Sequence, residues 1–301
     1  MLKYFSKDQI EYWYRKYIPE KIRDFIRDSI PFWIQLRYFS IQAKKFDLEK
    51  QGHGEAKKLL ELCEKFEINN GYYVDIGASD GWTSSATFPF AKSNNFSGLS
   101  IEPDSLKFKK MNFIYKNFNN THLSDSKVTP ENITSLLKEF DVPENFDLLN
   151  LDIDSYDLFV VKALLDSFQP KIISMEINEK IPPPIYFTVT YDEKHVYEGD
   201  DFYGCSLQAA YEELCKFDYK LHTLLYNNAI FISSEVSTNQ QKLSITEFYI
   251  NGYVDKPDRT QKFSYNKDKD VLLDMDKNSA VDFINDLYKN YAGKYLIELR
   301  D

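Results

Sequence analysis

Two apolar runs end in side chains that could do chemistry. One closes as Leu151-Asp152-Ile153-Asp154-Ser155-Tyr156-Asp157 and the other as Ser174-Met175-Glu176-Ile177-Asn178-Glu179. Each run reads as a buried strand, and in an open α/β sheet ligands lie beyond the carboxyl ends of the strands. A fold does not require acids there: small or apolar residues pack as well, and clustered carboxylates repel one another. Three readings fit the residue types. In the first, Asp152, Asp154 and Glu176 or Asn178 hold a hard divalent cation, Mg²⁺ foremost, because that ion takes oxygen ligands and keeps several waters. Such an ion would bind two substrate oxygens and lower the pKa of a hydroxyl. In the second, the acids accept hydrogen bonds from substrate hydroxyls and one serves as general base. In the third, Asp154 or Ser155 caps the helix that follows. His195 lies in the long segment after the second run, and its near-neutral pKa suits it to remove a proton. Asn178 and Tyr191 are candidate substrate contacts, and Tyr186 and Tyr203 add aromatic surface with hydroxyls.

These groups need a scaffold, and the most informative part of it is Tyr72-Tyr73-Val74-Asp75-Ile76-Gly77-Ala78-Ser79-Asp80-Gly81. A short apolar run breaks into a Gly-bearing turn, and a helix-compatible stretch follows from Trp82 to Lys92. A strand, turn and helix in that order bring backbone N–H groups and a helix N-terminus close to a ligand. Gly77 and Gly81 can take positive φ. The spacing is D-x-G-x-x-x-G, not the G-x-G-x-x-G of nicotinamide enzymes. A second strand, Phe96 to Ile101, ends in Glu102, and an acid about 20 residues past such a turn suits a ribose diol.

The turn and the acid together resemble class I S-adenosylmethionine (SAM) dependent methyltransferases. VDIGASDG is most similar to the FkbM-type enzymes, which methylate sugar or polyketide hydroxyls. The resemblance covers roughly residues 50 to 235. It implies that Asp75, Gly77, Ser79 and Gly81 border the methionine end of SAM and that Glu102 holds the ribose hydroxyls. Many members carry a third glycine where this chain has Ser79. It also implies that the strands ending at Ile76, Ile153 and Ile177 are neighbours, which crowds Asp152, Asp154, Glu176 and Asn178 near the transferable methyl. Some sugar O-methyltransferases with this sheet place a metal at similar strand ends. The expected activity is SAM-dependent methyl transfer to a hydroxyl of a sugar, glycan or related small molecule. Two alternatives stand beside it: an inactive SAM-fold assembly or regulatory protein, and a nucleotide-sugar-modifying enzyme on the same sheet.

The chain has 301 residues, 43% of them hydrophobic, enough for one large α/β domain with extensions. A net charge of −10 argues against a nucleic-acid partner. The three cysteines, Cys63, Cys205 and Cys215, show neither metal spacing nor an even disulfide set, and Cys205 and Cys215 read as core thiols of a reducing compartment. With no signal peptide in view and no run of about 18 apolar residues, the expected location is cytoplasmic.

The expected organisation has three parts. Residues 1–50 form a basic, aromatic, helical extension; up to Phe46 it carries ten Lys/Arg against five Asp/Glu, and twelve aromatics. Ile10, Trp13, Tyr14 and Tyr17 recur at helical spacing, as do Ile22, Phe25 and Ile26. Such a segment suits either the anionic inner membrane surface or packing against the catalytic domain or a second copy in a homodimer. Residues 51–235 form the SAM-binding domain: a Rossmann-like, mostly parallel sheet with right-handed crossovers, closed by an antiparallel edge hairpin at Tyr219–Leu225 and Ala229–Ser233. Within it, 179–203 carries Pro182, Pro183 and Pro184 and reads as a loop. Residues 236–301 form a polar tail with helices at 244–250 and 278–292, not required by the fold.

Overall fold

A computed structural model describes residues 30–43, 46–48, 51–236 and 243–300. The chain divides into two units, residues 1–46 and 47–301. In the first, the described part is helix α1, Phe32–Ala43. The two helical stripes between Ile10 and Ile26 lie outside the described residues. Among the described residues no helix is long and apolar enough to cross a membrane.

The second unit alternates as the sequence predicts. Its elements are α2 (Glu55–Lys65), β1 (Tyr72–Ile76), α3 (Phe88–Lys92), β2 (Ser97–Ile101), α4 (Ser105–Tyr115), β3 (Thr121–Ser124), α5 (Ile133–Glu139), β4 (Leu148–Leu151), α6 (Asp157–Leu165) and β5 (Ile172–Glu176). There follow β6 (Ile185–Val189), α7 (Leu207–Cys215), β7 (Tyr219–Leu225), β8 (Asn228–Ser233), α8 (Ile245–Tyr249), α9 (Arg259–Lys262), α10 (Lys277–Leu287) and β9 (Tyr295–Leu299). Seven strands make one sheet in the order β3-β2-β1-β4-β5-β8-β7. The first five are parallel; β8 runs antiparallel to β5 and to β7. This is the class I methyltransferase sheet with its reversed edge. β4 and β5 are buried at every residue, as a strand covered on both faces must be.

Helix starts follow ordinary capping rules. Asp104 accepts from the N–H groups of Leu106 and Lys107 to open α4, and Ser206 accepts from that of Ala209 to open α7. Three expectations need correction. The helix expected from Trp82 shrinks to Phe88–Lys92, because Asp80 ties down the N–H groups of Trp82 and Thr83, and Ser85 Oγ those of Thr87 and Phe88. The segment 179–203 is not all loop: after the prolines, Ile185–Val189 forms the buried strand β6. Its antiparallel partner is β9, from the tail, which extends from Tyr295 to Leu299. Cys205 is buried but Cys215 is exposed.

Candidate active site

A cleft of about 590 Å³ opens at the carboxyl ends of β1, β2 and β4, bordered by residues 76–79, 101–103 and 152–156. Glu55, Lys107 and Lys127 also line it, as do His195, Val196 and Tyr197 from the segment after β6.

The turn after β1 is built from inward-facing N–H groups. Gly77 and Ala78 both donate to the Ile101 carbonyl, Gly81 donates to that of Ala78, and Ser79 donates to Glu102 Oε2 at 2.8 Å. Glu102 Oε1 accepts from Asp104 N–H at 2.8 Å. The Glu102 carboxylate therefore braces two turns and keeps its remaining lone pairs for a ligand. Ser79, where the resembled enzymes often carry a glycine, adopts φ +53°. Gly77 has φ +87°, and a β-carbon on it would meet the Asp152 carbonyl, so its small size serves strand packing. Gly81 lies outside the cleft lining, against Met111 and Tyr115 of α4. The helix N-terminus expected beside the ligand belongs to α3, a five-residue helix that starts only at Phe88.

Beneath the turn a polar row crosses the sheet. The register pairs Ser100 with Asp75, Asp75 with Asn150, and Asn150 with Ser174. Asp75 is buried; Thr87 Oγ1 donates to its Oδ2 at 2.5 Å and Asn150 Nδ2 to its Oδ1 at 2.8 Å. Burial nevertheless raises its pKa to about 6. At the far end, Ser174 Oγ donates to Oε1 of Glu55, the first residue of α2. Glu55 is buried on the cleft wall, and burial raises its pKa to about 7. Sequence reasoning missed Glu55. An acid in the first turn of a helix is ordinary, and its partner stands 119 residues away.

The acid-rich rim does form. One carboxylate oxygen from each of Asp152, Asp154 and Glu176 lies within 4.8 Å of the others. Burial first, then the charges of the neighbouring acids, push Asp152 and Glu176 well above the usual carboxylate range. Glu176 Oε1 accepts from Asn227 Nδ2 at 2.7 Å, but its buried Oε2 receives no hydrogen bond from a described residue. That oxygen needs a proton or a cation. Helix capping falls to neither Asp154 nor Ser155. No side chain caps that helix: its N-cap position is Tyr156, and Asp157, its first residue, instead accepts from the loop N–H groups of Ile153 (2.9 Å) and Ser155 (3.1 Å) and so braces the turn ahead of it. Asp154 stays exposed at φ +53°.

His195 reaches the rim. Its Nδ1 lies 2.6 Å from Ser155 Oγ, and its ring packs edge-on to Phe202 at 5.7 Å. Phe202 stacks on Tyr291 of the tail at 4.0 Å. Two expected substrate contacts turn away. Asn178 is fully buried, and its Nδ2 holds the carbonyls of Asp201 (3.0 Å) and Tyr203 (3.2 Å). Tyr191 lies outside the cleft lining; its hydroxyl donates to Glu131 at 2.6 Å and its ring packs edge-on to Tyr156. In their place the cleft presents Tyr197, packed edge-on to Tyr203 at 5.2 Å.

No protein-family model matches the sequence, and no curated protein sequence matches it. Solved structures of similar architecture include the N-terminal domain of EvdMO1 in the presence of SAH and D-fucose, at 13% identity and TM-score 0.40, covering 60% of this chain and 82% of that one. Magnesium protoporphyrin IX methyltransferase from Synechocystis with bound SAH gives 9% and 0.42, covering 61% and 83%. A methyltransferase from Geobacter sulfurreducens gives 13% and 0.38, covering 71% and 97%. The fold assignment rests on the strand order and directions given above.

Proposed function

We propose that this chain is a SAM-dependent methyltransferase acting on a hydroxyl oxygen of a sugar, glycan or related small molecule. The observation that carries the reading is the charge of the cleft. Its turn offers the N–H groups of Gly77, Ala78, Ser79 and Gly81 to the protein, not to a ligand. Its walls carry five carboxylates, those of Asp75, Glu102, Asp152, Asp154 and Glu55, against two lysines, Lys107 and Lys127. A pyrophosphate needs free N–H groups and positive potential, so a nucleotide-sugar ligand is disfavoured. A cofactor with a sulfonium, an ammonium and a ribose diol, but no phosphate, matches these walls.

Bound, that cofactor supplies an electrophilic methyl carbon. Glu102 is suited to accept from the ribose hydroxyls. His195, with Nδ1 on Ser155, would have Nε2 to take the proton of an acceptor hydroxyl. Alignment of this kind can supply about 7–11 kcal/mol in ideal cases, and a general base about 10²–10⁴-fold.

Asp152, Asp154 and Glu176 fit a hard divalent cation such as Mg²⁺, on the evidence of their convergence and the unpartnered Glu176 Oε2. A cation there would lower the pKa of an acceptor hydroxyl. Calorimetry with SAM and S-adenosylhomocysteine, followed by labelled methyl transfer to a glycan panel, tests the proposal. A wild-type protein that binds neither nucleoside ends it.

A further inference from the structure

The cleft wall carries one carboxylate to which the mechanism above gives no role. Glu55 opens α2, outside the sheet, and is only 4% exposed. Ser174 Oγ donates to its Oε1 and fixes the rotation of the group. Its second oxygen accepts no hydrogen bond among the described residues, and the side chain lines the cleft. The groups acting most strongly on its charge are Ser174 and Asp75, neither of them cationic. Asp75 itself has both oxygens engaged, by Thr87 and Asn150. Of these two neighbouring carboxylates, Glu55 is therefore the one with an oxygen left over. A buried carboxylate calls for a partner, and the partner must enter through the cleft.

We propose that Glu55 binds the cofactor directly, receiving the α-ammonium group of its amino-acid end. This rests on the SAM reading above. Of the two cationic centres in that cofactor, the sulfonium carries no N–H. The ammonium carries three, as a lysine head does, and can donate to the open oxygen of Glu55. Inside a cleft of low dielectric, such a charge-assisted bond fixes one end of the cofactor and so aims the methyl group at the other. The Ser174 hydroxyl acts through Glu55 and is a positioning group.

The test compares two ligands by calorimetry: S-adenosylhomocysteine, and 5′-methylthioadenosine, which keeps the nucleoside and thioether but lacks the amino acid. Glu55→Gln keeps the shape and an acceptor for Ser174 but loses the charge. It should weaken S-adenosylhomocysteine about 10- to 100-fold, the range for a hydrogen bond to a charged group, and leave methylthioadenosine unchanged. Ser174→Ala should produce a smaller loss with the same ligand selectivity. Melting temperatures of both variants establish that they are folded at the assay temperature. An equal loss for the two ligands, or no loss for either, overturns the assignment. A wild-type protein that binds neither ligand overturns the cofactor reading, and the assignment with it.

Discussion

A β-carbon placed on Gly77 would lie 1.7 Å from the carbonyl oxygen of Asp152. The glycine that marks the turn is thus demanded by the neighbouring strand end, at φ +87°, whatever the cleft holds. Gly77→Ala must move the β4 backbone, and we expect a loss of about 3 kcal/mol or more in urea unfolding. At Gly81 the clash is with the side chains of Met111 and Tyr115, at 2.8 and 2.9 Å. Gly81 too has positive φ, +82°, but its clash is with side chains and not with backbone, so Gly81→Ala should cost about 1–3 kcal/mol, less than Gly77→Ala, and leave S-adenosylhomocysteine affinity unchanged, since Gly81 lies outside the cleft. Equal stability of the two variants would contradict this ranking.

Burial of Glu55 couples stability to pH. Its folded-state pKa, about 7, lies above the ordinary value of 4.5. The folded protein holds that proton where the unfolded chain has released it. The contribution is therefore complete below pH 4.5 and is lost as pH rises through 7. The swing is on the order of 3 kcal/mol. Asp75 acts in the same direction but lower, between 3.8 and about 6. Asp152, Asp157 and Glu176, also raised by burial, add to the same slope; in ligand-free protein, wild-type stability should fall between pH 5 and pH 8, and Glu55→Gln should make that fall shallower without abolishing it. An unchanged slope in the variant would mean that Glu55 ionises as freely folded as unfolded.

The sequence makes the sheet legible because alternating apolar runs, capping residues and prolines each have a local physical meaning. Asp104 and Ser206 cap their helices as their residue types favour, and the hairpin turns at Tyr226, with φ +59°. What fails is non-local. β6 hides behind three prolines because its partner, β9, lies more than a hundred residues later. Asn178 and Tyr191 have the right chemistry in the right segments, yet their side chains point to Asp201, Tyr203 and Glu131 instead of the cleft. Residue type and approximate strand end can be read from a chain; the direction of a side chain depends on the packing around it. Glu55 is the converse, ordinary at its own position and informative only beside Ser174.

The contact between Ser155 and His195 predicts a split between binding and turnover. His195→Gln should lower the methyl-transfer rate about 10²–10⁴-fold with S-adenosylhomocysteine affinity intact. Ser155→Ala should lower it less, because the partner that orients the ring through Nδ1 is gone. A full rate in His195→Gln would remove the histidine from the mechanism.

Glu102 braces two turns and, in the proposed function, also holds the ribose, so its removal should register in two assays. Glu102→Ala deprives the N–H groups of Ser79 and Asp104 of their acceptor. Hydrogen bonds to a charged group are worth about 1.5–3 kcal/mol, so both melting temperature and S-adenosylhomocysteine affinity should fall, the latter about 10-fold or more. A lowered melting temperature with full affinity would leave Glu102 as a brace only.

The acid trio separates three roles by their different responses to one set of measurements. If Asp152, Asp154 and Glu176 hold a divalent cation, Asp152→Asn should abolish methyl transfer, and chelator should do the same to the wild type. Added Mg²⁺ should restore the chelated wild type but not the variant. Cofactor affinity should change little, because in the proposed function the nucleoside would be held from the β1 and β2 ends. The variant should also melt no lower than the wild type, since Asp152 is pushed up by burial and by its acidic neighbours and its charge opposes folding. If the carboxylates act only as hydrogen-bond acceptors, the variant should still fail but chelator should have no effect. Loss of a helix cap would cost about 0.5–2 kcal/mol of stability and spare activity, but none of the three makes a side-chain cap to the helix that starts at Asp157. Undiminished activity in Asp152→Asn, Asp154→Ala and Glu176→Gln alike would remove the trio from the site.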